Sequence, residues 1–220
     1  MKPAPFEYHR PSELRQALSL LKDFGEEAKI LAGGQSLAPM INFRLSRPGH
    51  LIDVNFVDGL SYVTRQDGGL NIGCLARQSR LLTDPVIKQA CPLLAEAGAN
   101  VGHPQTRSRG TQCGSLAHAD PAAELPRMLV ALDGRVRVEG LESKREIEAK
   151  DLFETFLTTS VAAEELVVDA WFPEMPAGAG WSYFKFARRF EDFALVAAAA
   201  APGLSGRTEP PHLKKPGRES

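Results

Sequence analysis

Two short stretches carry residue types suited to holding phosphate. In Leu31-Ala32-Gly33-Gly34-Gln35-Ser36-Leu37 an apolar run, Lys29 to Ala32, meets a Gly-Gly turn. The second stretch is Arg109-Gly110-Thr111-Gln112-Cys113-Gly114-Ser115. A phosphate is large and anionic, and backbone N–H groups reach it only where no side chain blocks the approach. Glycine allows that approach and tolerates positive φ. A helix start adds unpaired N–H groups and a favourable dipole. Ser36 suits the cap of a short helix over residues 37 to 43, and Thr111 and Ser115 bring hydroxyls to the second stretch. An isolated Gly-Gly is ordinarily a plain turn. Two such turns in comparable settings point to cradles for the phosphates of one dinucleotide. The chain has no G-x-G-x-x-G and no Gly-Lys-Ser/Thr, so neither a Rossmann fingerprint nor a P-loop supplies this chemistry.

No other grouping rises to a site. His103 sits in a Gly/Pro loop and His118 beside Asp120, neither at metal-ligand spacing, and no metal ligand is assigned. No Ser/His/Asp or Cys/His arrangement marks a nucleophile, and no catalytic residue is assigned. The three cysteines, Cys74, Cys91 and Cys113, are widely spaced without a C-x-x-C. This argues against an iron–sulfur cluster or structural zinc within the chain and for reduced thiols.

These stretches sit in a chain of 220 residues, 43% hydrophobic and 24% charged, with a formal net charge of −1. That composition supports a buried core and gives no electrostatic argument for nucleic acid or an anionic membrane. No apolar run approaches the roughly 18 residues of a membrane span. Met1-Lys2-Pro3-Ala4-Pro5 leads into no signal-peptide core, so a cytoplasmic protein without membrane insertion is expected.

The elements that must position the two stretches are readable from periodicity. Leu14, Ala17, Leu18 and Leu21 predict an amphipathic helix over 11–24, started near Pro11 or Ser12 and stopped by Gly25. A strand leads into Gly33-Gly34, and His50 to Val54 is a second strand. Tyr62–Thr64 and Leu70–Cys74 flank Asp67-Gly68-Gly69 as a hairpin. A helical region covers 85–98, a loop 100–105, and a further helix carries Glu124, Leu125, Met128, Leu129 and Leu132. Arg135–Glu139, Leu166–Phe172 and Trp181–Ala187 read as strands. Residues 197–220 lack apolar periodicity and read as a disordered tail.

The quoted stretches resemble one family. Ala32-Gly33-Gly34-Gln35-Ser36-Leu37 with Pro39-Met40 and Asn42-Phe43-Arg44-Leu45 is similar to its first flavin motif. Gly102-His103-Pro104-Gln105, Arg107-Ser108-Arg109-Gly110-Thr111 and Gly114-Ser115-Leu116-Ala117-His118-Ala119-Asp120-Pro121 follow in the family's order. The family is the FAD-binding medium subunit of molybdenum hydroxylases, which includes carbon monoxide dehydrogenase medium subunits and xanthine dehydrogenase FAD-binding subunits. The resemblance covers about residues 1 to 196.

It implies an α+β, two-subdomain FAD-binding fold of the PCMH/vanillyl-alcohol-oxidase type. The first subdomain is expected over 1–57 and the second over 58–175, with the start of a C-terminal α+β domain at 176–196. The rest of that domain looks truncated. The resemblance also implies FAD as cofactor and a heterotrimeric unit, often doubled, with a molybdopterin-binding large subunit and a [2Fe–2S] small subunit. In that arrangement the chain is an oxidoreductase subunit passing electrons from the clusters through FAD to an acceptor. By the same resemblance, Ala32 to Leu37 and Thr111 to Ser115 hold the pyrophosphate, Gln35, Gln112 and Cys113 among them. Val101 packs near the flavin and Val167 gives backbone contacts to the ring edge. Lys185 lies by the N1–C2 carbonyl side, and Phe193 stands where relatives often stack an aromatic ring, commonly Tyr. Glu124 bonds a ribose. On residue type alone Glu124 is equally a solvated helix residue, and Lys185 a solvated strand lysine.

Two departures from the pattern accompany it. The family usually has Gly-Gly where this chain has Cys113-Gly114. If position 113 needs positive φ or lies against a phosphate, a side chain there costs about 1–2 kcal/mol, or about tenfold in FAD affinity. The residues after Val196 do not resemble the family's C-terminal domain. These departures support one alternative reading, a degenerate non-catalytic assembly subunit; a stand-alone FAD oxidoreductase of the same fold is the other.

Overall fold

The computed structural model describes residues 2–189 and 191–201. Strand β1 (Glu7–His9), helix α1 (Leu14–Phe24), strand β2 (Ala28–Leu31), helix α2 (Leu37–Asn42) and strand β3 (His50–Asp53) come first. The strands form a parallel sheet in the order β1-β3-β2. Helix α1 starts later than the predicted Pro11, with Glu13 as its cap residue, and buries the foreseen Ala17, Leu18 and Leu21. Gly25 ends it at φ 50°, a conformation open to glycine at little cost.

Next come the hairpin β4 (Val63–Gln66) and β5 (Gly69–Gly73) and six helices: α3 (Ser79–Thr83), α4 (Pro85–Ala90), α5 (Pro92–Ala99), α6 (Pro104–Arg109), α7 (Gln112–His118) and α8 (Glu124–Ala131). The hairpin turn is Asp67-Gly68, both at positive φ, which matches the right-handed twist of the strands. The helical region predicted over 85–98 is two helices. Pro92 has no N–H to continue α4, and it opens α5 instead. The expected loop at 100–105 is shortened because Pro104 opens α6.

The remaining elements are β6 (Arg135–Glu139), β7 (Lys144–Glu148), α9 (Ala149–Leu152), β8 (Phe153–Thr155), β9 (Thr158–Thr159), β10 (Leu166–Pro173), β11 (Ser182–Phe186) and β12 (Val196–Ala200). A five-stranded antiparallel sheet runs β4-β5-β10-β6-β7, with β10 at its centre. Strand β10 is apolar at most positions, Asp169 excepted, because both of its faces are covered: Val168, Ala170 and Phe172 are buried on one and Val167 and Asp169 on the other. Strands β8 and β9 pair with each other, as do β11 and β12.

The three-stranded sheet lies wholly within 1–57 and the five-stranded sheet within 58–175. One continuous apolar core spans both, from Leu18 and Ile52 through Leu93 and Leu129 to Phe172. The expectation of disorder from residue 197 is corrected by β12. Its alanines pair with β11 in register, Ala197 opposite Lys185 and Ala200 opposite Ser182. Small side chains let that strand lie against α8 and β11 without an apolar period of its own. The rest of the expected tail, 202–220, lies outside the described residues.

Candidate functional site

The two glycine stretches meet. Gly33 has Arg109 O 2.6 Å and Thr111 N 3.0 Å from the place a Cβ would occupy. Its lack of a side chain therefore lets one loop lie against the other, besides leaving backbone open to a ligand. Gly34 sits at φ 70°, in the region that favours glycine.

A polar bridge fixes this meeting, and the sequence reading missed it. The Asn55 side-chain amide donates to Ala32 O at 2.8 Å, and Asn55 is itself oriented by Asp53. Tyr8 donates to the other carboxylate oxygen of Asp53 at 2.6 Å. Arg77 donates to Asn55 Oδ1 at 2.7 Å and to Arg109 O at 2.6 Å. Asn55 thus holds the first loop and Arg77 the second. Burial, followed by the nearby Arg109 charge, lowers the Arg77 pKa from its ordinary value. Gln78 N donates to Gly110 O at 2.8 Å, and Gln112 N to Ala76 O at 3.1 Å.

Between the loops lies a cleft of about 740 Å³, within the usual range for cofactor sites. Of the sixteen residues expected at the site, fifteen line it: Ala32, Gly33, Gly34, Gln35, Ser36, Leu37, Val101, Thr111, Cys113, Gly114, Ser115, Glu124, Val167, Lys185 and Phe193. Gln112 is fully buried behind the second loop. Both its amide atoms and Gln78 Oε1 lack a hydrogen-bond partner among the described residues.

Several roles differ from those expected. Ser36 makes no side-chain capping bond, while Thr111 caps α7 by accepting from Gly114 N at 3.1 Å. Helices α2 and α7 have six and seven residues. The N–H groups of Gly110, Gln112, Gly114 and Ser115 are bonded within the chain, which leaves the first loop, Gly33 to Ser36, as the main source of N–H donors for an anion.

Cys113 lies inside α7 with no positive φ. Its thiol is buried and donates toward Ile72 O at 3.8 Å. Of the two costs expected at this position, the positive-φ strain is absent, while Cys113 does line the cleft. Burial pushes the Cys113 thiol well above its ordinary pKa, with smaller contributions from Cys74 and Asp169.

Glu124 and Lys185 are neither solvated nor separate. Lys185 Nζ donates to Glu124 Oε1 at 2.7 Å and to Asn100 O at 2.8 Å, and both side chains are nearly buried. Two of the three ammonium donors are thereby occupied. Other charged groups on the lining are also matched: Glu165 by Arg145, and Glu191 by Arg107 and His103. Val167 lies where the pairing of β10 with β6 shifts register, a distortion frequent beside functional sites. Lys29, His103, Asp120 and Asp192 also line the cleft and were not assigned to it from sequence.

Two glycine loops clasped by side chains thus open on one cleft, with unpaired buried amides behind it. Residues 4–175 match the family model described as FAD binding domain in molybdopterin dehydrogenase. The chain belongs to this family and is an FAD-binding flavoprotein of the molybdenum-hydroxylase oxidoreductases.

It is 46% identical over 200 residues to the 6-hydroxypseudooxynicotine dehydrogenase complex subunit alpha of Paenarthrobacter nicotinovorans, covering 91% of this chain and 68% of that one. Identity is 40% over 199 residues to the nicotine 6-hydroxylase medium subunit of the same organism, covering 90% and 69%. Among solved structures, carbon monoxide dehydrogenase from Hydrogenophaga pseudoflava superposes with a TM-score of 0.88 at 36% identity, covering 90% of this chain and 69% of that chain.

Proposed function

We propose that the cleft holds FAD across the clasped loops. In this reading the chain is the electron-transfer subunit of a complex with a molybdopterin-binding large subunit and a [2Fe–2S] small subunit. The unit is heterotrimeric, can be doubled, and resides in the cytoplasm. The observation that carries the reading is the mutual packing of Gly33 against Arg109–Thr111, which brings the two glycine stretches to one cleft. The donor set fits the cofactor: the N–H groups of Gly33 to Ser36 for the pyrophosphate, the Ser36 hydroxyl, and apolar Val101 and Val167 beside the space for a ring.

When bound, FAD supplies a ring that takes up electrons and releases them to an acceptor. The chain's own residues hold and orient it. Lys185, anchored by Glu124 and Asn100, has one remaining N–H to offer into the cleft, a weaker electrostatic role than a free cation would have. Phe193, 64% exposed at the mouth, presents a ring without a hydroxyl. No helix among the described residues is long and apolar enough to cross a membrane. Phe184, Phe186, Leu195 and Val196 stand exposed on or beside β11 and β12, in keeping with a surface that other parts of an assembly cover.

The test is reconstitution. The full chain is mixed with FAD, desalted, and read by visible absorbance. Close to one flavin per chain is expected, and a colourless protein overturns the reading. Reduction of the bound flavin by the purified cluster-bearing partner then tests the electron-transfer role.

A further inference from the structure

A second cluster lies outside the cleft. Glu7 and His9 are two residues apart on β1 and so share a face, and the register sets Glu7 opposite His50 on β3. All three side chains converge through one atom each. His9 Nε2 and His50 Nδ1 are 3.0 Å apart, His50 Nδ1 and Glu7 Oε2 3.5 Å, and His9 Nε2 and Glu7 Oε2 4.0 Å. Zinc bonds of about 2.0–2.2 Å in tetrahedral geometry separate ligand atoms by about 3.3–3.6 Å, so the observed triangle brackets what one ion requires. Phe24, at the end of α1, stacks on His50 with centroids 3.6 Å apart and planes 7° from parallel, which fixes the direction of the ring nitrogen. Glu7 is exposed, leaving a fourth position open to water. None of the three residues lines the cleft. His50 pairs with Ala28, at the end of β2 away from Gly33.

We propose that Glu7, His9 and His50 form a binding site for a divalent transition metal of the zinc class. Two imidazole nitrogens and one carboxylate oxygen suit that class. The ion would clip the three-residue edge strand β1 to β3. The sequence could not announce the site, because 41 residues separate the two histidines and no spacing motif relates them.

A proton shared between the two rings also satisfies the 3.0 Å contact, and metal titration separates the two accounts. The full chain is titrated with Zn²⁺ against a chromophoric competitor, and melting is followed with and without the ion. About one Zn²⁺ per chain is expected, with a rise in melting temperature. His9→Asn and Glu7→Gln should each weaken binding at least about tenfold and abolish the zinc-dependent rise. Glu7 is exposed enough that its substitution leaves the fold intact. Absence of saturable binding, or binding unchanged in either variant, overturns the proposal.

Discussion

An added Cβ at Gly33 would meet backbone of the second loop at 2.6–3.0 Å, so a valine there must push the loops apart. Gly33→Val is expected to lower FAD affinity at least about a hundredfold, or about 2.8 kcal/mol, measured as flavin retained after desalting. The three cysteines give a pH prediction. Burial pushes Cys91 up to about 11 and Cys74 up to about 12, from an ordinary value of 9.0, and raises Cys113 as well. The folded chain therefore keeps these protons where the unfolded chain has released them. Stability is held below pH 9 and falls as pH rises from there toward 11–12. Urea midpoints at pH 8 and pH 10.5 should differ in that direction, and thiol-reactive dyes should label the native protein slowly. The glycines were legible in sequence because two Gly/Ser/Thr stretches recur in comparable settings, whereas Asn55 and Arg77 were not. Each is a single polar residue in an unremarkable setting, and its role exists only once β3 and the segment before α3 stand side by side.

Strands β11 and β12 form a two-stranded sheet, an arrangement of marginal stability by itself. Tyr183 packs into the core, and the Lys185–Glu124–Asn100 contacts tie β11 to α8 and the end of α5. Lys185→Met leaves Glu124 buried without its partner, at a cost of about 3–5 kcal/mol. Amide exchange over residues 182–200 should accelerate far more than over β10. Helices α1 and α8, with strong periodicity, and β10, an apolar stretch stopped by Pro173, could be read directly from sequence. Strand β7, Lys-Arg-Glu-Ile-Glu, could not: it is an edge strand with only Ile147 turned inward and buried, so charge hides its alternation. Strand β12 was missed for a related reason, since alanine carries no preference strong enough to mark a strand. The break between α4 and α5 was legible in Pro92, but the apolar pattern continued across it.

At the scale of the whole chain, one core runs beneath both sheets and the cleft opens between the loops those sheets support. A ligand bound there stabilises both halves together. FAD at a hundredfold excess over its dissociation constant should add about 2.7 kcal/mol. That corresponds to a rise of roughly 5–11 °C in melting temperature for a domain of this size, seen as a shift of one transition. The pairing of charges around the cleft has a consequence for ionic strength. Glu124, Glu165 and Glu191 are each matched by a cation, so these three carboxylates add little field that salt could screen, and Lys29 on the lining is offset by Asp120 and Asp192. Held by amide dipoles, FAD should bind with nearly the same affinity, within about threefold, between roughly 50 and 500 mM salt. A site resting on unpaired lysines and arginines would lose its ligand over that span.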